Sequence, residues 1–340
     1  MKTSAFDYVL PPELIAQFPS EERTHSRLLA YDRETQNIRH LIFKDILDII
    51  PAGDLLILNK SKVIPARIFT TTTAEKRSCE ILFIKALGRT VFEAMVNPGR
   101  RFKIGTRHLV RGNHELVVEK ITETGLRVFR CVRDEDCLEI FRNDGEMPLP
   151  PYITSRASSP DRYQTVFADN EGSIAAPTAG LHFDLPLIQK LRDKGVLIKE
   201  LVLHVGIGTF KPIDTNELEE HAMHSELFSI DADLHDAYAQ VRSRRGKIWA
   251  CGTTTVRALE SAYIETGGLN IGRRETRCFI KPGYKFQAVD HVITNFHLPR
   301  STLLVLVAAL CGLEKTLELY NEAIKNKYRF YSFGDAMVVI

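Results

Sequence analysis

Residues 221–226, HAMHSE, set two histidines three positions apart with a glutamate just beyond them. His221 and His224 would share one face if this stretch were helical. Two such rings can begin a metal site, but no third ligand stands at a diagnostic spacing, so no metal is expected. A polar wall on which His224 or Glu226 moves protons is the better use of the trio. Upstream, in HVGIGTF at residues 204–210, His204 precedes Gly206 and Gly208 at the end of an apolar run. A dinucleotide fingerprint would need a third glycine and an immediate helix, whereas Lys211 and Pro212 follow here. What remains is a glycine-lined loop at a strand end, suited to ligand contact or to plain turn chemistry.

CGTTTVRALE, residues 251–260, places hydroxyls before a helix start. Thr254 or Thr255 can cap that helix, and the same free N–H groups can bind an anion. Arg257 in the first turn can meet a carboxylate or phosphate. TNFHLPRST, residues 294–302, brings Asn295, His297 and Arg300 together before an apolar helix, as a cap or as a site. In RYQTVFA, residues 162–168, Arg162, Tyr163 and Gln164 could read a flipped-out base by stacking and edge hydrogen bonds. GSIAAPTAGLHF, residues 172–183, is uncharged, rich in small residues and closed by His182. Small residues let a backbone come close to another strand or to a ligand. The aromatics of YRFYSFGDAMVVI, residues 328–340, could stack on bases, although a C-terminal strand in the core is the commoner use.

These side chains need a scaffold. A chain of 340 residues is long for one core, and two domains are the natural division. Hydrophobic content of 44% and charged content of 26% are those of an ordinary globular protein. A net charge of +2 leaves room for a local basic patch, for which Arg23, Arg27, Arg100, Arg101, Arg242, Arg244 and Arg245 are candidates. The six cysteines form no C-x-x-C pair, which points to a reduced cytoplasmic setting. The first residues lack the apolar run and cleavage site of a signal peptide. The longest apolar stretch, residues 301–313, is short of the roughly 20 residues a membrane span needs, so no membrane partner is expected.

PELIAQ, residues 12–17, suggests a short helix, RLLAYD a strand, and DLLILN, residues 54–59, a strand covered on both faces. From Arg67 to about Pro148 short β-prone runs follow one another: CEILFIK, TVFEAMV, HELVVEKI, LRVFRCV and CLEIF. Regular turn signals between them predict a small antiparallel sandwich or barrel with no helix. Beyond the proline-rich EMPLPPYI, helix and strand alternate. Helices are expected in 185–195 (closed by Gly195), in DADLHDAYAQVRSRRG, in TVRALESAYIETGG and from residue 301. Strands are expected in VLIKELVLHV, KIWACG, CFIKPG and HVITNF. The fold class is therefore α/β: a mixed-sheet catalytic domain of residues 1–65 and 150–340, with an all-β, barrel-like domain of residues 66–149 inserted.

Taken in order, FDYVLPPELIAQFPSEERTHSRLLAYDR, LLILNKSKVIPARIF, MPLPPYI, DRYQTVFADNEGSIAAPTAGLHF, LHVGIGTFKPI, HAMHSE, CGTTTVRALE, FIKPGYKFQAVDHVITNFHLPRSTLL and YRFYSFGDAM closely resemble the S-adenosylmethionine:tRNA ribosyltransferase-isomerases of queuosine biosynthesis. The resemblance spans nearly the whole chain. It implies transfer and isomerisation of the ribosyl part of S-adenosylmethionine onto 7-aminomethyl-7-deazaguanine at the tRNA wobble position. The product is epoxyqueuosine in tRNA, with adenine and methionine released. It also implies an α/β domain with an inserted β-barrel, no metal, and no cofactor beyond S-adenosylmethionine as cosubstrate. A cytoplasmic monomer is expected. Lys60, Ser61 and Asp184 depart from the residues more usual in relatives, which weakens any role for those three.

A sulfonium acidifies the adjacent ribose 5′ carbon, so a base there would start the reaction by forming an ylide that expels adenine. Such a base should titrate near neutrality, which favours histidine or an elevated glutamate. His182, His204, His224 and Glu226 are the catalytic candidates. Arg162, Tyr163, Gln164, Thr178, Gly180, Gly206, Gly208, Thr254, Arg257, Asn295 and His297 are the substrate-binding candidates. Arg257 and the threonine turn would serve the methionine carboxylate, and GSIAAPTAGLHF would line the cosubstrate pocket with His182 facing the ligand. A methyltransferase would instead leave S-adenosylhomocysteine, and its glycine-rich first turn is absent. An RNA-binding protein using the β domain as a platform would consume no cosubstrate.

Overall fold

The computed structural model describes residues 1–72, 78–111, 113–150, 152–153, 160–206, 212–265 and 267–340. The chain divides into two units. One comprises Met1–Lys62, Pro151–Asn170 and Ala176–Ile340, and the other Val63–Pro150 with Glu171–Ala175.

The first unit is built on a nine-stranded mixed sheet. Its strands run, edge to edge, Gly272–Thr276, Glu226–Ile230, Leu197–Leu203, Leu55–Asn59, Ile248–Cys251, His291–Asn295, Ala336–Val339, Arg27–Tyr31 and Ile38–Ile42. Leu55–Asn59 is buried at every position, as its unbroken apolar run requires of a central strand. It pairs in parallel with Leu197–Leu203 on one side and Ile248–Cys251 on the other. Ile248–Cys251 in turn runs parallel to His291–Asn295. The carboxyl ends of four parallel strands therefore lie along one edge, at Asn59, Leu203, Cys251 and Asn295. Glu226–Ile230 is antiparallel to Leu197–Leu203, so Glu226 begins its strand at that same edge.

Helices cover the sheet for local reasons. Asp184 accepts a hydrogen bond from the Leu187 amide at 2.8 Å and so caps Leu185–Lys194. Gly195 closes that helix with φ of 96°, a left-handed value glycine takes without penalty. Its apolar face, Leu187, Ile188 and Leu191, joins Leu56, Leu58 and Trp249 in the core. Ser301 caps Thr302–Cys311 by accepting from the Leu304 amide.

In the second unit six strands between Arg67 and Cys131 close an antiparallel barrel. Stacked and edge-on rings of Phe83, Phe92, Phe129 and Phe141 fill it.

Four local expectations are corrected. CLEIF is not a strand: Cys137–Asp144 is a helix, capped by Asp136 and burying Cys137, Ile140 and Phe141 at helical spacing. CFIKPG is not a strand either, since the edge strand is the preceding Gly272–Thr276, whose middle residues are charged and exposed. PELIAQ folds only as one tight turn, Pro12–Leu14. The threonines of CGTTT do not cap a helix from outside. They form the first turn of Thr253–Ala262, and Thr255 donates back to the Cys251 carbonyl at 2.6 Å. The residue before that helix is Gly252, with φ of 93°.

Candidate active site

A crevice opens at the carboxyl ends of the parallel strands, the place where open α/β sheets bind ligands. It has three adjoining compartments. The first is lined by Tyr152, Phe296, Leu298 and Tyr331, together with Thr178, Asn295 and His297. The second shares Thr178, Asn295 and His297 with the first and adds Gly252, Thr253 and Thr254. The third shares Thr254 and Leu303 with the second and is otherwise lined by His221, Met223, His224, Glu226, Arg257 and Thr302.

A buried ion pair dominates the third compartment. Arg257 Nη1 contacts Glu226 Oε2, and Arg257 Nε donates to the Cys278 carbonyl at 2.9 Å. Both side chains are buried, with 7% and 5% exposed. Glu226 Oε1 accepts from the Gly206 amide at 3.0 Å. The glycine loop thus meets the carboxylate through its backbone, and a Cβ on Gly206 would make only ordinary contacts. Arg257 Nη2 and Thr254 Oγ1 are buried with no hydrogen-bond partner among the described residues. An unpaired buried donor is costly, so the two atoms together mark a place for an incoming anion. His224 is exposed, borders the same compartment and makes no hydrogen bond within the described residues. The residues 221–225 are not helical, so the pairing of His221 with His224 arises from a loop. No cluster of three metal-ligating side chains occurs among the described residues.

His182 is placed differently from the expectation that it faces the ligand pocket. Its Nδ1 lies 2.7 Å from Ser26 Oγ, its Nε2 lies 3.0 Å from Asn295 Nδ2, and its ring stacks on Phe43. Burial, with help from Arg329 and Arg23, pushes the ring down to about 3. An imidazole with both nitrogens engaged and so little affinity for a proton is not a free base. It lies one residue behind the crevice, while Asn295 stands at the wall. GSIAAPTAGLHF is divided between the crevice wall and the core. Ala176 and Thr178 line the crevice, Phe183 belongs to the core, and Ala179 does both. Gly180 is a packing residue: a Cβ there would meet Phe167 at 2.8 Å and Thr165 at 2.9 Å.

His204 follows the end of its strand, outside the three compartments, with Nδ1 3.1 Å from Ser61 Oγ. Burial, and then Arg273, lower its proton affinity. His297 is buried against Thr294 Oγ1 at 2.8 Å, and burial pushes it down to about 3. It lines the crevice as a neutral ring. Burial also lowers His221, which meets Phe279 edge-on.

The structure does not bring Arg162, Tyr163 and Gln164 to this crevice. Arg162 donates to the carbonyls of Glu21 and Ser20, Tyr163 is fully buried against Phe333, and the Gln164 carbonyl accepts from Arg23. Arg162 instead lines a separate small pocket with Arg23, Ser26 and His182. Gly208 lies outside the described residues. Of the basic candidates, Arg242 is held by Asp290, and Arg27 lies over the Tyr328 ring. The sequence reading missed Tyr152, Phe296, Met223 and Leu303 because apolar lining residues carry no spacing signal. Gly252 was the one readable clue, a glycine between a strand and a helix.

A family profile described as queuosine biosynthesis protein matches residues 3–339. A protein of Halothermothrix orenii named S-adenosylmethionine:tRNA ribosyltransferase-isomerase is 46% identical over 342 residues, covering all of both chains. One of the same name from Acetivibrio thermocellus is 48% identical over 341 residues, again covering all of both. The crystal structure of an S-adenosylmethionine tRNA ribosyltransferase from Thermotoga maritima matches with a TM-score of 0.58 at 38% identity. The match covers 99% of this chain and 100% of that one.

Proposed function

Because this chain belongs to the queuosine biosynthesis family, the S-adenosylmethionine:tRNA ribosyltransferase-isomerases, we infer from its crevice how it carries out that reaction. The enzyme transfers the ribosyl part of S-adenosylmethionine to tRNA and isomerises it, releasing adenine and methionine. The acceptor in this proposal is the aminomethyl nitrogen of 7-aminomethyl-7-deazaguanine at the wobble position, and the product is epoxyqueuosine in tRNA. S-adenosylmethionine is a cosubstrate, and no metal or other cofactor takes part. The protein acts as a monomer in the cytoplasm; among the described residues no helix is long and apolar enough to cross a membrane.

One observation carries the placement of the cosubstrate. A guanidinium nitrogen and a hydroxyl, each without a partner among the described residues, share one end of a crevice whose other end is aromatic. Arg257 Nη2 and Thr254 Oγ1 take the methionine carboxylate, since a guanidinium already fixed by Glu226 and Cys278 loses little freedom on binding. Tyr152, Phe296 and Tyr331 take the adenine. The ribose and sulfonium then span the middle compartment. His224, an exposed ring bordering the third compartment, removes a proton from the 5′ carbon. The electron pair left behind forms the 4′–5′ double bond and breaks the bond from the 4′ carbon to the ring oxygen, which becomes a carbonyl at the 1′ carbon as adenine leaves. The aminomethyl nitrogen then bonds to the opened ribosyl carbons, and methionine departs with the sulfonium's bonding pair. Glu226 and His182 hold geometry in this scheme, the first for Arg257 and the second for Asn295.

The test is a mixture of the protein, S-adenosylmethionine and the modified tRNA, followed by chromatography. Free adenine and methionine are expected. S-adenosylhomocysteine would indicate methyl transfer, and unconsumed cosubstrate with retained tRNA would indicate a binding protein; either overturns the reading.

A further inference from the structure

Hydrogen-bond directions can be followed from one end of a buried chain to the crevice. The Tyr331 carbonyl can only accept, and Asn295 Nδ2 lies 3.3 Å from it. That contact fixes which side of the Asn295 amide carries the nitrogen. The same nitrogen lies 3.0 Å from His182 Nε2, so Nε2 must accept and be unprotonated. The His182 proton is then on Nδ1 and is donated to Ser26 Oγ at 2.7 Å. Ser26 in turn donates its own proton to the Arg23 carbonyl at 3.3 Å. At the other end Asn295 Oδ1 can only accept, and it accepts from Thr178 Oγ1 at 3.0 Å. Every proton in the series has one place to go.

The consequence falls on Thr178. Its hydroxyl proton is committed inward, so toward the crevice it offers lone pairs and nothing to donate. An acceptor fixed in this way favours an N–H on the ligand and repels a carbonyl oxygen. We propose that Thr178 selects the adenine base of the cosubstrate by accepting a hydrogen bond from its 6-amino group, and that His182 and Asn295 act as positioning residues which hold that hydroxyl in its acceptor state. This rests on the cosubstrate placement above. Adenine is the base concerned because Thr178 borders the aromatic compartment, which neither Arg257 nor Thr254 lines; Thr178 and Thr254 meet only at the middle one.

The test compares S-adenosylmethionine with its 6-oxo analogue, in which hypoxanthine replaces adenine, by measuring kcat and KM for base release on wild-type enzyme and on Thr178→Val and Thr178→Ser. Wild type should favour the 6-amino form by tenfold or more in kcat/KM, chiefly through KM. Thr178→Val, close in size but without the hydroxyl, should raise KM for the 6-amino form and remove most of the preference. Thr178→Ser should restore it. A wild-type enzyme indifferent to the two bases overturns the proposal without any variant. So does a folded Thr178→Val enzyme, judged by an unchanged melting temperature, that keeps the full preference. Absence of base release from wild type with S-adenosylmethionine and modified tRNA would defeat the functional reading itself, and that outcome is distinct from loss of selectivity alone.

Discussion

Arg257 is locked to Glu226 in a buried contact, yet keeps one guanidinium nitrogen without a partner among the described residues beside the crevice. Removing one member of a buried pair strands the other and typically costs about 3–5 kcal/mol, whereas replacing both with apolar residues is often neutral. Glu226→Ala should therefore lower the melting temperature by several degrees. The double variant Glu226→Leu with Arg257→Met should recover most of that loss yet release no adenine. Melting curves and the adenine assay on the same samples check both statements. A double variant that is stable and active would leave the pair with a purely structural role.

Stability should depend on pH through buried histidines. His182 and His297 are each pushed down to about 3 by burial, against an ordinary value of 6.5. His108 and His291 are pushed to about 4 in the same way. As pH falls below 6.5 the unfolded chain binds protons that the folded protein does not. The stability from neutral burial is thus complete above about pH 6.5 and declines toward the folded values. Urea midpoints should fall between pH 7 and 5. His182→Gln should flatten that fall by roughly one proton's share, 2.303RT per pH unit. An unchanged slope would mean that His182 is protonated when folded.

Gly180 should not tolerate a methyl group. Its added Cβ would press on two side chains at under 3 Å, and overpacking a filled site costs about 1–3 kcal/mol. Gly180→Ala should shift the urea midpoint down accordingly. Equal midpoints would show that Phe167 and Thr165 yield without cost.

Asp184 has a structural use. The side chain caps the helix Leu185–Lys194, and losing such a cap costs about 0.5–2 kcal/mol. Asp184→Ala should destabilise by that amount, while Asp184→Thr, which still offers an acceptor, should lose only part of it. Activity per folded molecule should be equal in all three proteins. A drop in turnover for a fully folded variant would give Asp184 a role beyond capping.

The scaffold was legible where burial is uniform or periodic. DLLILN read as a central strand because no polar residue interrupts it, and the barrel read from its turn signals. CLEIF misled because an apolar run of five residues suits strand or helix alike, and only the Asp136 cap distinguishes them. The charged strand Gly272–Thr276 escaped notice because edge strands need not be apolar. The site was legible as types but not as partners. His182 and Asn295 stand 113 positions apart in the chain, and no spacing in the sequence shows that the histidine ring is held between Ser26 and Asn295. Glu226 and Arg257, read separately as a proton carrier and an anion binder, turn out to be one unit.

The central strand has a consequence for how the protein is made. Leu55–Asn59 lies between Leu197–Leu203 and Ile248–Cys251, and both neighbours come later in the chain. A ribosome adding about 5–20 residues per second delivers the second neighbour roughly 10–40 s after the strand itself. Throughout that interval an apolar segment ending in Asn59 waits with at least one hydrogen-bonding edge open, while the chain for the β-barrel emerges and can close on itself. The nascent protein is then a finished small domain trailing an unfinished sheet. Protection against association is needed during that interval, well before any substrate is met.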